Sequence, residues 1–492
     1  MAHFRLATLA AAATLLAAAA PAHAAGHWFP HFDFANGNSP TRFPQAGLVA
    51  MDPRGNLYLT FRLNDDGGSD TFPAKTSFRS RSLGGVFGTQ QDIGTTNNEF
   101  PFGITVDAAG TSTILWRDNT TADLFVRRRT AAGVLGMRRQ IDATDNIADA
   151  DLAGDPDGNT TVVFENNATG QVQARRLSRS GTLGPLKDVS PPGKSADEPQ
   201  VAVAPNGTAF VAWANSTDKR TQLRTLSPGG SLGPIQNLST GAVTPFEPKV
   251  ATDAQGAAYV AWSEGISPSV IKMRRRSPTG ALGSIKPLST AEDSFDQDLA
   301  VSPEGDAVVV WDDATDHAIQ GRRLAASGNL GRIVNLSAVG TVKQTPTVTV
   351  ASGGDAVAAW ENLGTGKIEA RGFRENGTLD PLANPAGNDT LVSDPHFGGD
   401  GRGNTALVWM DVNGKQIDGA IFDGGGPELR SLKAPTTVER TAPAAFSFSP
   451  ADLLSHVASS RWEFGDGSGA TGASVSHTYT RAGTFTARAI ST

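Results

Sequence analysis

The sequence predicts an all-β chain: an eight-unit β-propeller, with a seven-bladed ring as the alternative, followed by a smaller β domain. Two observations carry this reading. Trp213, Trp262, Trp311, Trp360 and Trp409 recur every 49 residues, each six residues after a glycine (Gly207, Gly256, Gly305, Gly354, Gly403). The same pairing extends backwards as Gly158/Phe164, Gly110/Trp116 and Gly55/Phe61, which makes eight copies. No window shows a sustained 3.6-residue period with caps, so helix is not expected.

The fourth copy shows why each unit reads as four strands. Residues 200–204, Gln-Val-Ala-Val-Ala, read as a strand in which valine and alanine alternate. Pro205-Asn206-Gly207 is a tight turn. Thr208 to Trp213 is apolar and rich in strand formers. A polar loop, 214–219, precedes a third strand, 222–226. A second turn, Ser227-Pro228-Gly229-Gly230, leads to a weaker fourth strand, 232–238. The second turn also recurs, from Gly133-Val134-Leu135-Gly136 to Gly377-Thr378-Leu379-Asp380. A period in this range with four strands per unit signals a propeller blade. One such sheet has two apolar faces, which only neighbouring sheets can cover, so the units must close into a ring. The Trp or Phe ending the second strand is then a wedge between neighbours. The first and last copies are the least regular, which keeps seven blades open. No unit carries the Gly-His and Trp-Asp pairs of WD40 repeats together, Trp311-Asp312 standing alone, and the Asp box of sialidase-like propellers is absent from the units.

The ends differ in character. Residues 1–24 read as a secretory signal: Arg5, an apolar run from Leu6 to Ala20, and Ala22-His23-Ala24 as a cleavage site. Residues 25–42 form a lead-in, and 43–432 hold the repeats. Cleavage after Ala24 would leave His27 third in the mature chain, where an amine, two amides and an imidazole suit Cu(II) or Ni(II). The chain has no cysteine, so packing alone must hold it. A formal net charge of −7 with scattered basic residues argues against nucleic acid. No later stretch is long and apolar enough to span a membrane.

From 433 to 492 the pattern changes. Trp462-Glu463-Phe464-Gly465-Asp466-Gly467 is followed by His477-Thr478-Tyr479 and by Gly483-Thr484-Phe485. This resembles the PKD (polycystic kidney disease) domain, although Glu463 replaces the usual Asp. The resemblance implies an immunoglobulin-like β-sandwich. Phe446, Phe448, Trp462, Phe464, Tyr479 and Phe485 agree, sitting at strand-like spacing around a Gly-Asp-Gly turn. The family continues with another strand where this chain stops, so the resemblance also implies a short or incomplete final strand.

In a propeller the loops after the second strand share one face. Here they are acidic just past the aromatic: Asp118, Glu165, Glu264, Asp312, Asp313, Glu361 and Asp411. Such a ring suits a cation or a basic partner. Alternatively these acids pair with third-strand arginines, among them Arg127, Arg175, Arg224, Arg274, Arg322 and Arg371. His317 and His396 occur once each in the array. Asp65, Asp66 and Asp70 expand the first unit and offer carboxylates to calcium, but their spacing does not complete an EF-hand. No residue set assembles a catalytic triad, and Tyr58, Tyr259 and Tyr479 all have structural places. The expectation is therefore an exported binding or adhesion protein for carbohydrate or a cell-surface protein, with no cofactor. The alternative is a secreted polysaccharide hydrolase or lyase that carries the PKD-like domain as an accessory.

Overall fold

The computed structural model describes residues 10–15, 26–36, 43–64, 74–96, 98–141, 146–290 and 293–491. The chain divides into two compact units, Trp28–Phe422 and a second formed by Met1–His27 with Asp423–Thr492. The repeats therefore end at Phe422 rather than at 432, and most of the lead-in belongs with them.

Among the described residues the first unit is built of eight antiparallel sheets in sequence order. In the fourth sheet the strands are Ala196–Val203, Ala209–Asn215, Arg220–Leu226 and Gln236–Asn237. The outer strand is only two residues long, with a single bridge, Leu226 to Leu232, standing for the rest of the expected 232–238. The first turn closes through the Gly207 amide, which donates to the Ala204 carbonyl at 2.9 Å or less (2.8 Å). Gly207 has φ 78°, and a Cβ there would press on Pro228 at 3.2 Å, so glycine is required.

Innermost strands touch from one sheet to the next, and the circuit closes where Val392–Gly399 of the eighth sheet meets Phe43–Met51 of the first. The eighth sheet takes its outer strand from the other end of the repeats. Phe32–Asn36 pairs antiparallel with Gln416–Asp423, setting Phe32 opposite Gly419 and Asp33 opposite Asp418. The lead-in thus supplies the strand that the last repeat lacks.

The aromatic wedges are core. Trp116, Trp213, Trp262, Trp311, Trp360 and Trp409 are essentially unexposed. Trp213 packs on Val163, Val172, Ala174 and Val189 of the preceding sheet, and Trp311 sits likewise against Ile271, Met273 and Leu288. Burying an aromatic of this size is the largest single apolar contribution each unit makes.

The arginines do something the sequence did not disclose. Arg127 Nε donates to the Gly136 carbonyl of its own sheet at 2.8 Å and Nη1 to the Ile93 carbonyl of the preceding sheet at 3.0 Å. Arg175, Arg224, Arg274, Arg322 and Arg371 repeat the pattern, bonding Gly184 and Ile141, Gly233 and Val189, Gly283 and Leu238, Gly331 and Leu288, and Asp380 and Leu336. Each fork staples a fourth strand to its neighbour by meeting carbonyls that a two-residue strand leaves open. Arg79, in the first sheet, reaches the Phe34 carbonyl at 2.9 Å. The lead-in strand therefore offers the same acceptor as a native fourth strand. The pairing of these arginines with the acids past each aromatic is not what forms. Arg128 and Arg176 pair instead with Asp107 and Asp155 of the first turns.

The second unit is the sandwich. One sheet holds Glu428–Lys433, Ala444–Ala451 and Ser474–His477. The other includes Thr437–Glu439, Ser460–Glu463, Gly469–Thr471 and Thr484–Ser491, and Ala10–Leu15 pairs in parallel with the last of these. Its core is Phe446, Phe448, Trp462, Phe464 and Tyr479. Gly465 has φ 78°, and a Cβ would lie 2.5 Å from the Thr486 carbonyl, which fixes glycine in the Phe-Gly-Asp turn. His477 stacks on Phe464 with ring centroids 3.9 Å apart and donates from Nε2 to Asp466 at 2.8 Å. The Tyr479 hydroxyl donates to the Phe464 carbonyl at 3.1 Å. The motif residues are thus the clasp of this fold. Among the described residues no helix is long and apolar enough to cross a membrane.

Candidate functional site

Each innermost strand breaks register near its start. In sheets four to eight the irregularity lies between Asp197 and Gln200, Phe246 and Lys249, Phe295 and Asp298, Gln344 and Thr347, and Ser393 and His396. At each bulge one non-glycine residue takes positive φ: Glu198 (54°), Glu247 (48°), Asp296 (51°), Thr345 (48°) and Asp394 (57°). These residues are 49 apart, and all but Thr345 are acids. A bulge re-aims its amide and side chain out of the ladder, and repeated strain of this kind marks a site rather than a defect.

The turned-out amides find carboxylates of the preceding sheet. The Glu247 amide donates to Glu198 Oε2 at 2.5 Å. The Glu198 amide bonds Glu165, the Asp296 amide bonds Glu247, and the Asp394 amide bonds Glu361. A chain of acids therefore runs from sheet to sheet along the bulges. Burial pushes the Glu165 carboxyl up to about 7, with Asp197 adding repulsion. Asp312 is likewise pushed up to about 7, first by burial and then by Asp296 and Asp313. Glu198, Glu247 and Glu361 are raised for the same leading reason. Lys249 and Lys343 supply opposing charge.

The sequence candidates divide by parity. A residue one past the aromatic points to the face opposite the wedge, toward the next sheet's bulge, and Glu165, Asp312 and Glu361 are of this class. In the first two sheets that position holds Arg62 and Arg117, and Arg117 Nη1 bonds the Ile147 carbonyl at 2.8 Å beside the third bulge. Residues two past the aromatic are buried in their own sheet. Asp118 accepts the Thr120 amide at 2.9 Å. Glu264 accepts Trp262 Nε1 at 2.8 Å and pairs with Lys272. Asp313 accepts the Thr315 amide at 3.0 Å. Asp118, Glu264 and Asp313 therefore each have a partner within their own sheet. Two aromatics join the acids: Phe246, opposite Ser263, and Phe295, opposite Asp312, both half-buried.

His396 lies beside its bulge and shares Asp394, Nε2 to Oδ1 at 3.1 Å. This ion pair holds the Asp394 carboxyl below its usual range despite burial. His317 is an exposed turn residue with φ 51°. His27 opens the short strand His27–Trp28 and is exposed. Asp65, Asp66 and Asp70 lie outside the described residues.

Asp411 has a different setting. Among the described residues Asp389, Asp411 and Asp418 each bring a carboxylate oxygen within 4.8 Å of the others. Asp418 stands opposite Trp409 in register and Asp33 stands opposite Asp418. Burial pushes Asp418 up to about 7, with Asp33, Asp389 and Asp411 adding to it. In sequence only Asp411 stood out, as an acid past the aromatic; Asp418 takes the place that Glu369 and Gln320 hold in earlier units, but no acidic pattern marks it, and Asp389 lies in a loop. The bulge acids were legible in principle, through the same 49-residue step as the tryptophans.

With this geometry established, the comparisons can be placed. Residues 426–492 match the PKD domain. Among curated proteins no relative matches the chain. The first unit is similar in fold to the BP39L lectin from Burkholderia pseudomallei, at 12% identity and a TM-score of 0.50, covering 72% of this chain and 99% of the lectin. A PL25 ulvan lyase aligns at 9% identity and a TM-score of 0.43, covering 68% and 93%. A puromycin hydrolase aligns at 13% identity and a TM-score of 0.42 over 75% of this chain, which spans 58% of that enzyme. At these identities the likeness is one of fold: the repeats form a β-propeller and the C-terminal unit is a PKD domain.

Proposed function

We propose that the chain is an exported carbohydrate-binding protein whose ligand seats at the bulge acids. The observation that carries this is the combination around sheets five and six: Phe246 and Phe295 beside Glu247, Asp296 and Asp312. Sugar rings present apolar faces that suit half-buried aromatics. Their hydroxyls bond carboxyl groups, and a carboxyl near neutrality both donates and accepts. A few fixed polar groups beside apolar surface is the usual composition of a small-molecule site. The signal-like residues 1–24 and the PKD domain support a place outside the cell. A cell-surface protein carrying such a glycan suits the same surface.

A glycan array probed with the purified chain is the test. Binding of a defined set, weakened by Phe295→Ala and by Asp312→Asn, is the expected result. Binding to no glycan, or binding indifferent to both substitutions, overturns the reading.

A second reading is favoured by the raised carboxyls. Glu165 and Asp312, each near 7, have the range a general acid or base needs in a polysaccharide hydrolase or lyase. Release of reducing ends or unsaturated products from the array hits, abolished by Glu165→Gln with binding kept, would make the protein an enzyme.

A further inference from the structure

The eighth sheet departs from an arrangement that four others share. Opposite the wedge, on the third strand, sheets three, four, five and seven place a partner for the residue two past the wedge. Asn166 Nδ2 donates to Gln173 Oε1 at 3.1 Å, and Asn215 Nδ2 to Gln222 Oε1 at 3.0 Å. Glu264 pairs with Lys272, and Asn362 Nδ2 donates to Glu369 Oε1 at 2.8 Å. The same glutamines continue to the fourth strand: Gln173 to Asp188 at 2.7 Å, Gln222 to Asn237 at 2.8 Å. The equivalent positions in the eighth sheet are Asp411, Asp418 and Asp33. Relative to Asn215 and Gln222 of the fourth sheet, the two inner places hold carboxylates, and a third, Asp33, stands beside them.

Asp418 is wholly buried, and its Oδ1 has no hydrogen-bond partner; Oδ2 accepts only Gln416 Nε2, at 3.2 Å. Asp389, from the loop before the eighth sheet, also has a buried oxygen, Oδ2, without a hydrogen bond, and His31 Nε2 stands 3.8 Å from it. The Asp411 carboxylate is held by the Gly414 amide at 2.9 Å, and a Cβ on Gly414 would lie 2.1 Å from Asp411 Oδ2, so the turn wraps the carboxylate closely. Buried acids in contact, with so few donors, are costly unless a cation joins them.

We propose that Asp389, Asp411 and Asp418 bind one calcium ion, and that this ion fastens the lead-in strand to the eighth sheet. An all-oxygen, all-carboxylate set is hard and selects such cations. Calcium takes oxygens at about 2.3–2.6 Å, so ligands on opposite sides stand about 4.6–5.2 Å apart. The three carboxylate oxygens lie within 4.8 Å of one another, a span one such ion can bridge. Magnesium demands strict octahedral geometry and gives up its water reluctantly, which suits an all-protein carboxylate set less well. On the lead-in, Asp33 stands opposite Asp418 and His31 Nε2 stands 3.8 Å from Asp389, so the ion lies where segments almost 400 residues apart in sequence meet.

The test uses the full chain, stripped with EGTA and then supplied with calcium chloride. Calcium is expected to bind with one equivalent lost in Asp389→Asn, to raise Tm by roughly 5 °C, and to slow amide exchange across Phe32–Asn36. Terbium should bind in its place, with luminescence sensitised by Trp409. Asp418→Asn removes repulsion as well as a ligand, so it should raise Tm in EGTA while cancelling the further rise with calcium. Three results overturn the proposal: a Tm and an exchange pattern that are the same in EGTA and calcium, calcium binding at full strength in Asp389→Asn, or a full response to magnesium without calcium.

Discussion

The fourth and eighth sheets have one scaffold and opposite electrostatics. Both set a wedge tryptophan against the preceding sheet, and both place a polar residue two positions later. In the fourth, Asn215, Gln222 and Asn237 form a relay in which every side chain donates or accepts. In the eighth, Asp411, Asp418 and Asp33 put like charges at those positions. A buried relay that is fully satisfied specifies a fold, whereas one with too few donors requires something further. The contrast teaches that one repeated scaffold can carry either a satisfied relay or a cluster of acids at the same places.

The first way to break the comparison is to remove the wedge from each sheet. Trp213→Ala and Trp409→Ala should each cost about 3–5 kcal/mol, read from urea denaturation of the two variants. Equal losses mean that the closing sheet is packed as tightly as its neighbours. A much smaller loss for Trp409→Ala would mean that the eighth sheet is not a full member of the ring.

The second acts on the staples. Arg224→Ala and Arg79→Ala each strand two carbonyls and should cost about 1–2 kcal/mol. They differ in place: Arg79→Ala loosens the hold on Phe34, so amide exchange should quicken across Phe32–Asn36, while Arg224→Ala leaves that strand unchanged. The eighth sheet has Ala420 at the stapling position, so its own grip on the seventh lacks this device. Similar exchange in both variants would show that the lead-in is not held through Arg79.

The sequence made the fold legible because the ring is repetitive. A 49-residue step, paired turn glycines and a wedge are local signals repeated eight times, so each copy corrects the reading of the others. The closing strand was not legible. Phe32–Asn36 finds its partner almost 400 residues away, and no local pattern encodes that pairing. The candidate site was half legible. Glu165, Asp312 and Glu361 stood out as acids after an aromatic, but Asp118, Glu264 and Asp313 stood out equally. One step of strand parity separates them; the bulge acids, Glu198, Glu247, Asp296 and Asp394, share the 49-residue step, but the irregularity that turns them out of the ladder leaves no local sequence signal. Asp418 became visible only once register set it against Trp409.

A third measurement concerns charge on that site. Asp312 binds its proton more tightly folded than unfolded, because burial and Asp296 raise it to about 7. A carboxyl raised in this way adds stability below its ordinary pKa, near 4, and the contribution is lost as pH rises through 7. The wild type should therefore lose Tm between pH 5 and pH 8 by more than Asp312→Asn, whose side chain does not titrate. Superimposable profiles would mean that Asp312 is solvated as an ordinary surface acid.

The smallest effect is expected where the sequence suggested a unique residue. His317 sits last in the turn before its third strand, with φ 51°. Ala122, Gly170, Lys219, Gly366 and Lys415 occupy the same place in other sheets, and all have φ between 53° and 64°. The position demands left-handed backbone, and two sheets already meet it with glycine. His317→Gly should relieve backbone strain, offset by the entropy glycine adds to the unfolded chain, for a net gain of no more than about 1 kcal/mol. Glycan binding should be unchanged, since the imidazole lies in a turn apart from the bulge acids. A loss of binding in this variant, at unchanged stability, would return His317 to the ligand surface and place recognition on the hairpin turns instead of the bulges.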